Sequence, residues 1–558
     1  MDLVTYVDRV PTEIWLRCWT LCPTRHLRRL ARVCRYFRTL CQPLLFQHQR
    51  VAAPEGVDHY NWMHSTQTLH FATLRITRLA ASTHVSSVRS WFFRGNSRLD
   101  LVNSYLDIIN IHIVQEIYLK LQRKFFTTLG IYQRVTTLRL YDLPVDAAFR
   151  HTLSSLKLLE NLTLDYCEIT SRTGHPLPLR SLSLSGNDRT GSNEPLQLVS
   201  PDNLHSLRMD GSLDTVSLLS NLPQHSFHNL LHLSIGLTDI TADALIPLLN
   251  VCPRLNSINL KPAYGHFALP DGDELPPTAI PVLTSFSGPG KLAPSFVSNR
   301  PVEVVRLYAP LVGTDTQEHV AQEIISNLEV VSRSSAPLRS LHIVPRIPAS
   351  PEIFSAIATF FPELRRLCTE LHEPSRFWPP VALNDDFHAP ETEEEDAGEV
   401  DDRTVDISDI DTLCYDSDDS DMSAEFAPST KIAELPPTVL PGHMYTASGR
   451  IVPPETDRVY PTDSPDALPC LMDWICASRV PLPPHLEVLH FDQPEFRRSP
   501  VSISLREQHR AILDLERLIP SLKDVAFRKS DKRWTREGNM WIQRGKGARI
   551  ISTSTPSQ

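Results

Sequence analysis

Cys18, Cys22 and His26 recur every four residues, so on a helix they would share one face, and this is the first pattern in the chain that could hold a metal. Tetrahedral zinc needs a fourth donor, ordinarily from a second closely spaced pair. Cys34 and Cys41 do not supply it, because both lie among apolar residues where a free thiol behaves as a small hydrophobe. The 22 histidines are scattered without a paired motif. The chain also lacks Gly-x-Gly-x-x-Gly after a strand, a phosphate-binding Gly-x-x-x-x-Gly-Lys-Ser/Thr loop, Gly-x-Ser-x-Gly and His-Glu-x-x-His. No catalytic residue, metal or cofactor is therefore expected, and the remaining chemistry is recognition.

Charge narrows what could be recognised. The 558 residues carry 55 Lys plus Arg against 65 Asp plus Glu, a net of −10, which argues against a broad nucleic-acid surface. Residues 391–425 hold 16 acids against the single Arg403, a net of −15, so the rest of the chain sums to −10 + 15 = +5. Ten cysteines without dense, even spacing fit a reducing compartment. Asp2 and Asp8 replace the basic start of a secretory leader, and no run approaches about 18 apolar residues. A cytoplasmic or nuclear protein, neither secreted nor bound to a membrane, is expected.

The elements that position any recognition surface come from a repeat. An aliphatic-x-x-aliphatic-x-aliphatic phrase recurs at Val135, Leu138, Leu140; Leu159, Leu162, Leu164; Leu179, Leu182, Leu184; Leu204, Leu207, Met209; Leu230, Leu233, Ile235; and Leu255, Ile258, Leu260. Successive copies start 24, 20, 25, 26 and 25 residues apart, and the near-constant step is what carries the argument. Fainter, irregular copies begin at Val302, Leu338, Leu364, Leu486 and Leu522. Between strands, Thr241–Asn250 places Leu245, Leu248 and Leu249 on one helical face, with Thr241 or Asp243 able to cap it. One strand and one helix per unit predict an α/β solenoid whose strands bury their aliphatics only by stacking on neighbours. An ordinary α/β protein with buried strands would show the same apolar runs.

Residues 51–134 read as a helical linker leading into this array, with helices over 57–81 and 99–129 and an irregular strand over 85–93. Residues 384–465 combine the acidic run with Ser, Thr and Pro and predict a disordered insertion, with Ser408, Ser417 and Ser420 in acidic context as candidate phosphorylation sites. Repeat-like sequence resumes over 466–545, and 546–558 reads as a disordered tail.

The first fifty residues contain three short apolar series. Pro11 opens the first with Glu13 behind it, as the helix dipole favours, and Ile14, Trp15 and Leu16 follow. Leu27, Leu30, Ala31, Val33, Cys34 and Phe37 form the second, and Leu40, Leu44, Leu45 and Phe46 the third. About 40 residues in three helices enclose too little core alone, so an apolar face is left for a partner.

This segment resembles an F-box, through Pro11, Glu13, Ile14, then Leu30, Val33, Cys34, Arg35, Phe37, and a closing Leu44, Leu45, Phe46, with Val10 where leucine is common and Phe37 where tryptophan is frequent. The phrase from Cys34 to Phe46 also looks like the F-box-like proteins of mushroom-forming fungi. The repeats resemble cysteine-containing leucine-rich repeats, best at residues 230–260 and 162–170, which implies buried structural roles for Cys167 and Cys252. The resemblance implies an α/β fold of an N-terminal three-helix F-box (1–50), the linker (51–134), an irregular leucine-rich-repeat solenoid or horseshoe (135–383), the acidic insertion (384–465) and a repeat-like segment and cap (466–545).

In function it implies a non-catalytic substrate-recognition subunit of a Skp-cullin-F-box ubiquitin ligase. Pro11, Ile14, Leu16, Leu30, Val33, Cys34 and Phe37 would then contact the Skp adaptor or support that interface. An unidentified protein target would meet the outward strand positions Arg139, Tyr141, Thr163, Asp165, Arg208, Asp210, Asn259 and Lys261. The alternative is a repeat scaffold whose N-terminal helices merely cap the array. The two differ in whether residues 51–134 cover the apolar face of the helices.

Overall fold

A single backbone device repeats along this chain: a carbonyl just ahead of one strand accepts two consecutive N–H groups from the start of the next. The Thr136 carbonyl accepts from Glu160 and Asn161, that of Glu160 from Arg180 and Ser181, and that of Arg180 from His205 and Ser206. The series runs on through the carbonyls of His205, Leu231, Asn256, Thr284, Glu303, Arg339, Arg365 and Glu487. It fixes the offset between neighbouring strands, and with a side-chain period of 2 that offset decides which residues are buried.

The structure is a computed structural model that describes residues 10–52, 62–95, 108–186, 196–210, 218, 227–237, 239–262, 275–276, 278–308, 317–347, 350–371, 444–445, 451–452, 471–472, 475–478, 480–492, 505–527, 533–538, 540–544 and 552–554. It divides into one unit of Met1–Pro374 with Pro465–Gln558 and a second of Ser375–Ser464.

In chain order the first unit opens with α1 (Thr12–Trp19), α2 (Thr24–Leu30) and α3 (Arg35–Leu45), then β1 (His48–Ala52), α4 (Trp62–Ala80), β2 (Ser90–Arg94) and α5 (Ile108–Leu129). There follow β3 (Thr137–Tyr141), β4 (Pro144–Val145), α6 (Ala147–Ser155), β5 (Asn161–Asp165), β6 (Glu168–Ile169), β7 (Ser181–Ser185), β8 (Ser206–Met209), β9 (His232–Leu237), α7 (Asp239–Asn250) and β10 (Ser257–Pro262). Next are β11 (Ser285–Pro289), α8 (Ala293–Val297), β12 (Val304–Tyr308), α9 (Gln317–Val331), β13 (Ser340–Ile347), α10 (Pro351–Phe360) and β14 (Arg366–Leu371). In the second unit β15 (Met444–Tyr445) and β16 (Ile451–Val452) form an antiparallel pair. The first unit resumes with β17 (Val488–Asp492), α11 (Leu505–Leu518), β18 (Asp524–Ala526), β19 (Arg533–Glu537), β20 (Met540–Arg544) and β21 (Ser552–Ser554).

Among the described residues the main sheet has 17 strands, and within it each strand pairs with the next in the chain, parallel from β1 to β18 and antiparallel from there to β21. The fold is thus α/β with a large, mostly parallel sheet. β4 and β6 pair separately. Register aligns Leu138 with Leu162, Leu162 with Leu182, Leu182 with Leu207, and Leu233 with Ile258. These residues, and their partners two positions on, are buried in one continuous cluster with helix side chains such as Leu248, Ile324 and Phe354. Burial of each aliphatic contributes about 1.5–3 kcal/mol, so stacking rather than local strand preference holds the array.

The sheet begins at His48, well ahead of residue 135, because Trp91 and Phe93 in β2 and Val51 in β1 occupy the inward positions that aliphatics hold later. The helix expected over 241–250 starts at Asp239, so Thr241 and Asp243 lie inside it and do not cap it. Ser552–Ser554, expected in a disordered tail, pairs with Met540–Ile542, which takes up the exposed edge of β20. The disorder expected over 384–465, with its acidic run and serines, lies outside the described residues apart from the β15–β16 pair. No helix among the described residues is long and apolar enough to cross a membrane.

Buried polar groups are answered individually. Arg300, fully enclosed, donates to the carbonyls of Ser295 (2.7 Å), Pro276 (3.2 Å) and Ala279 (3.3 Å), tying the turn before β11 to the turn after α8. Arg300→Met keeps the bulk but removes a donor from each of these carbonyls, of which that of Pro276 still accepts from the Ala279 N–H. It is expected to destabilise the chain by about 3 kcal/mol, read as a lower urea midpoint with an unchanged far-ultraviolet circular dichroism spectrum.

Candidate functional site

The N-terminal helices form a small cluster of their own, separate from the main core. Trp19, Leu27 and Cys41 are its buried members, with Trp15, Leu30, Phe37, Leu40 and Leu44 packed around them. The Trp15 ring lies tilted against Trp19 at 5.4 Å and against Phe37 at 5.5 Å, and Trp19 meets Phe37 edge-on at 4.9 Å. Such contacts compensate for the shortness of the helices. Pro11 precedes α1, and Cys34 caps α3 by accepting from the Phe37 N–H at 3.4 Å. A Thr12–Tyr36 hydroxyl contact of 2.8 Å ties the starts of α1 and α3, so Pro11, Ile14, Val33 and Cys34 lie at one end of the bundle.

That end is open. Ile14 is 50% exposed and Val33 67%. Pro11 and Cys34 are exposed, whereas Leu16, Leu30 and Phe37 are half-buried, the last two against the bundle's own cluster. The expected adaptor residues therefore divide into an exposed set and a supporting set. α4 and α5 do not cover the exposed set: Leu69, Ile76, Leu79, Val114, Leu121 and Phe125 turn into the main core. The bundle joins the sheet through Phe46 stacked on His84 at 4.7 Å and the Gln47 carbonyl, which accepts from Arg89 and Ser90.

The second candidate surface is the face of the sheet opposite the buried aliphatics. Register puts Arg139, Thr163, Arg208 and Asn259 in the third row of their strands and Tyr141, Asp165 and Lys261 in the fifth, with Asp210 just beyond β8. All eight expected target-binding residues thus occur on one face. Asp165 departs from the expectation of a solvent-facing residue. It is buried, accepting from Arg139 at 2.8 and 3.0 Å and from Ser185 at 2.6 Å, because neighbouring parallel strands bring those donors alongside it. Arg139 also lies over the Phe92 ring, with Arg50 on the same ring. This end of the face is largely self-satisfied.

Further along, the surface changes. Asn259 donates to Ser234 at 3.2 Å and accepts from Tyr308 at 3.1 Å. Asn259 also lines a groove of about 420 Å³ that runs across β10 to β17, together with Ser257, Ser285, Ser287 and Ser340 and with Arg306, His342, Arg366, Cys368 and His490. Arg208, Lys261, Arg306 and Arg366 make no ion pair among the described residues. Burial, followed by the positive charge of Arg208, pulls the Lys261 ammonium below its ordinary range, and Arg306 adds to this while Asp210 opposes it. The groove is therefore cationic and rich in hydroxyls.

Sequence reasoning missed Arg306, His342, Arg366, Cys368, His490 and Asp524. Four of them could have been found by extending the row after the second aliphatic of the fainter phrases, since Arg306 follows Val305, His342 follows Leu341, Cys368 follows Leu367 and His490 follows Leu489, whereas Arg366 and Asp524 precede that aliphatic. Among the described residues no group of three or more His, Cys, Asp or Glu is arranged to hold a metal ion. No protein-family model matches the chain, and no curated protein matches it.

Cys167 is buried in the turn after β5 and Cys252 in the turn after α7. Burial pushes both thiols up from an ordinary value near 9 to about 12. A raised folded value means that stability is constant below pH 9 and falls as pH rises from 9 toward 12, where the unfolded thiols ionise first. At pH 8, iodoacetamide is expected to label exposed Cys18 and Cys34 in the native chain and to reach Cys167 and Cys252 only after unfolding, as read by peptide mass spectrometry.

Proposed function

We propose that this chain is the non-catalytic target-binding subunit of a Skp-cullin ubiquitin ligase, with residues 10–46 as its F-box and the sheet as leucine-rich repeats. The observation that carries the reading is the exposure of Ile14 and Val33 at one end of a helical bundle that already has its own core. Monomeric proteins seldom leave grouped apolar anchors in water without a partner, and a few such anchors dominate the affinity of a helical docking surface. The rival scaffold reading requires those residues to be covered by the helices that follow, and α4 and α5 bury their apolar faces elsewhere.

The outer face of the sheet then serves as the target-binding surface. Its cationic, serine-lined groove suits an acidic segment of a partner protein, whose carboxylates would meet Arg306 and Arg366. The chain does no chemistry in this role: holding a target beside the ligase raises the effective concentration of the target's lysines near the ubiquitin carrier. The direct junction through Phe46, Gln47 and Arg89 favours a fixed distance between adaptor and groove.

A pull-down of the full chain with a Skp adaptor tests the reading. Ile14→Asp with Val33→Asp changes only exposed side chains, so the fold should persist by circular dichroism while adaptor affinity falls at least about 30-fold. Absence of wild-type binding at roughly 10 µM adaptor would overturn the proposal.

A further inference from the structure

Cys368 is the third residue of β14, and register sets it between His342 of β13 and His490 of β17. Adjacent strands are about 4.8 Å apart, so both imidazoles flank the thiol on the outer face of the sheet. His490 Nε2 lies 3.3 Å from Asp524 Oδ1, and both side chains are largely enclosed. A carboxylate only accepts, so Nε2 carries the hydrogen and Nδ1 is the nitrogen left for Cys368. Asp524 is held in turn by Arg533 through two contacts. Cysteine, imidazole and carboxylate thus stand in line across three strands, with Arg366 two residues before the thiol on its own strand.

The groups facing Cys368 are His342 from β13, Arg366 and Glu370 from β14, His490 from β17, and Asp524 from β18 with its partner Arg533. Burial acts first and raises the thiol, but hydrogen bonds from His490 and Arg366, with their charges, outweigh it and bring Cys368 below the ordinary thiol range. Cys41, Cys167 and Cys252 are all pushed up by burial. A thiol in a dry strand position is ordinarily inert, whereas one enclosed by donors and opening on a groove has the setting of a nucleophile.

We propose that Cys368 is a nucleophilic thiolate that undergoes thiol–disulfide exchange with a small anionic disulfide admitted to the groove between β10 and β17. Arg306 and Arg366 line the same groove and select for negative charge. The Cys368 proton passes to His490 Nδ1 and the thiolate attacks one sulfur of the disulfide. A new S–S bond forms at Cys368 as the original S–S bond breaks, and its electron pair leaves on the second sulfur, which takes up a proton as a free thiol. Cys368 is oxidised to a mixed disulfide and the departing half is reduced. The adduct occupies the groove, so this surface is open or blocked according to the state of one thiol. The inference does not depend on the ligase reading.

The test uses the full chain near pH 7, with dithiobis(nitrobenzoate) as the anionic disulfide and dithiodipyridine as the neutral one, and peptide mass spectrometry to assign each modified cysteine. Cys368 is expected to react with the anionic reagent faster than the more exposed Cys18 and Cys34. His490→Gln should slow it about 10-fold, because losing the imidazole cuts the thiolate fraction to roughly a tenth. Arg366→Gln should reduce the preference for the anionic reagent over the neutral one, and because Arg366 is exposed this variant reports even if His490→Gln unfolds the strand. The Cys368 rate should also level off at lower pH than that of a free model thiol measured alongside it. The proposal is overturned if Cys368 stays unmodified while Cys18 and Cys34 react, if the anionic reagent holds no advantage over the neutral one at Cys368, or if the Cys368 rate climbs with pH in parallel with the free model thiol.

Discussion

Strand offset is the constraint on which the rest of this molecule depends. The doubly accepting carbonyls set each strand level with its neighbour, and the aliphatic pairs then fall on one face without exception from β3 to β10. A slip of one residue would turn Leu162 and Leu164 to solvent and bury Thr163, so hydrophobic burial and backbone bonding enforce the same alignment. Charged side chains beside those carbonyls follow the same rhythm: Arg180 pairs with Glu160, Arg339 with Glu303 and Lys523 with Glu487. Being exposed, each pair contributes less than about 1 kcal/mol, and the register would survive their loss.

The same alignment turns the unburied rows into a surface. Residues far apart in sequence become neighbours at the spacing of the strands, as Cys368 and His490 do across the whole second unit. That unit leaves the chain between β14 and β17, and Arg366 still pairs with Val488 as though nothing intervened. Long insertions add little loop-closure cost once the ends are fixed, so the sheet tolerates one of this length.

Where the sequence was legible and where it was not follows from what fills the inward positions. From Val135 to Leu260 two aliphatics per strand make the phrase visible, and the spacing predicts the parallel array. β11 is hidden because Phe286 fills the space of two side chains: a Cβ on Gly288 would stand 2.8 Å from the end of the Phe286 ring. β2 uses Trp91 and Phe93, and β14 replaces its second aliphatic by Thr369, buried with its hydroxyl unpartnered. The outward rows carry no periodic signal of their own, so of the residues chosen from the clearest phrases Arg139 and Asp165 fell at the self-paired end, while Asn259 lines the near end of the groove. The rest of the groove formed from phrases too irregular to trust.

The two candidate surfaces differ in physical kind, and that difference bears on how they work together. The helical bundle offers aliphatic anchors whose burial is insensitive to salt, whereas the groove offers guanidinium and hydroxyl groups whose attraction for an acidic segment weakens as salt rises. Attachment at the bundle can therefore be persistent while occupancy of the groove is exchangeable, as a receptor that releases one partner and retains another requires. A mixed disulfide at Cys368 would act on the exchangeable surface alone, since nothing links that thiol to Ile14 or Val33 except the length of the sheet. Under the proposed function, choice of target and attachment to the adaptor are thus separable by the distance that strand stacking imposes.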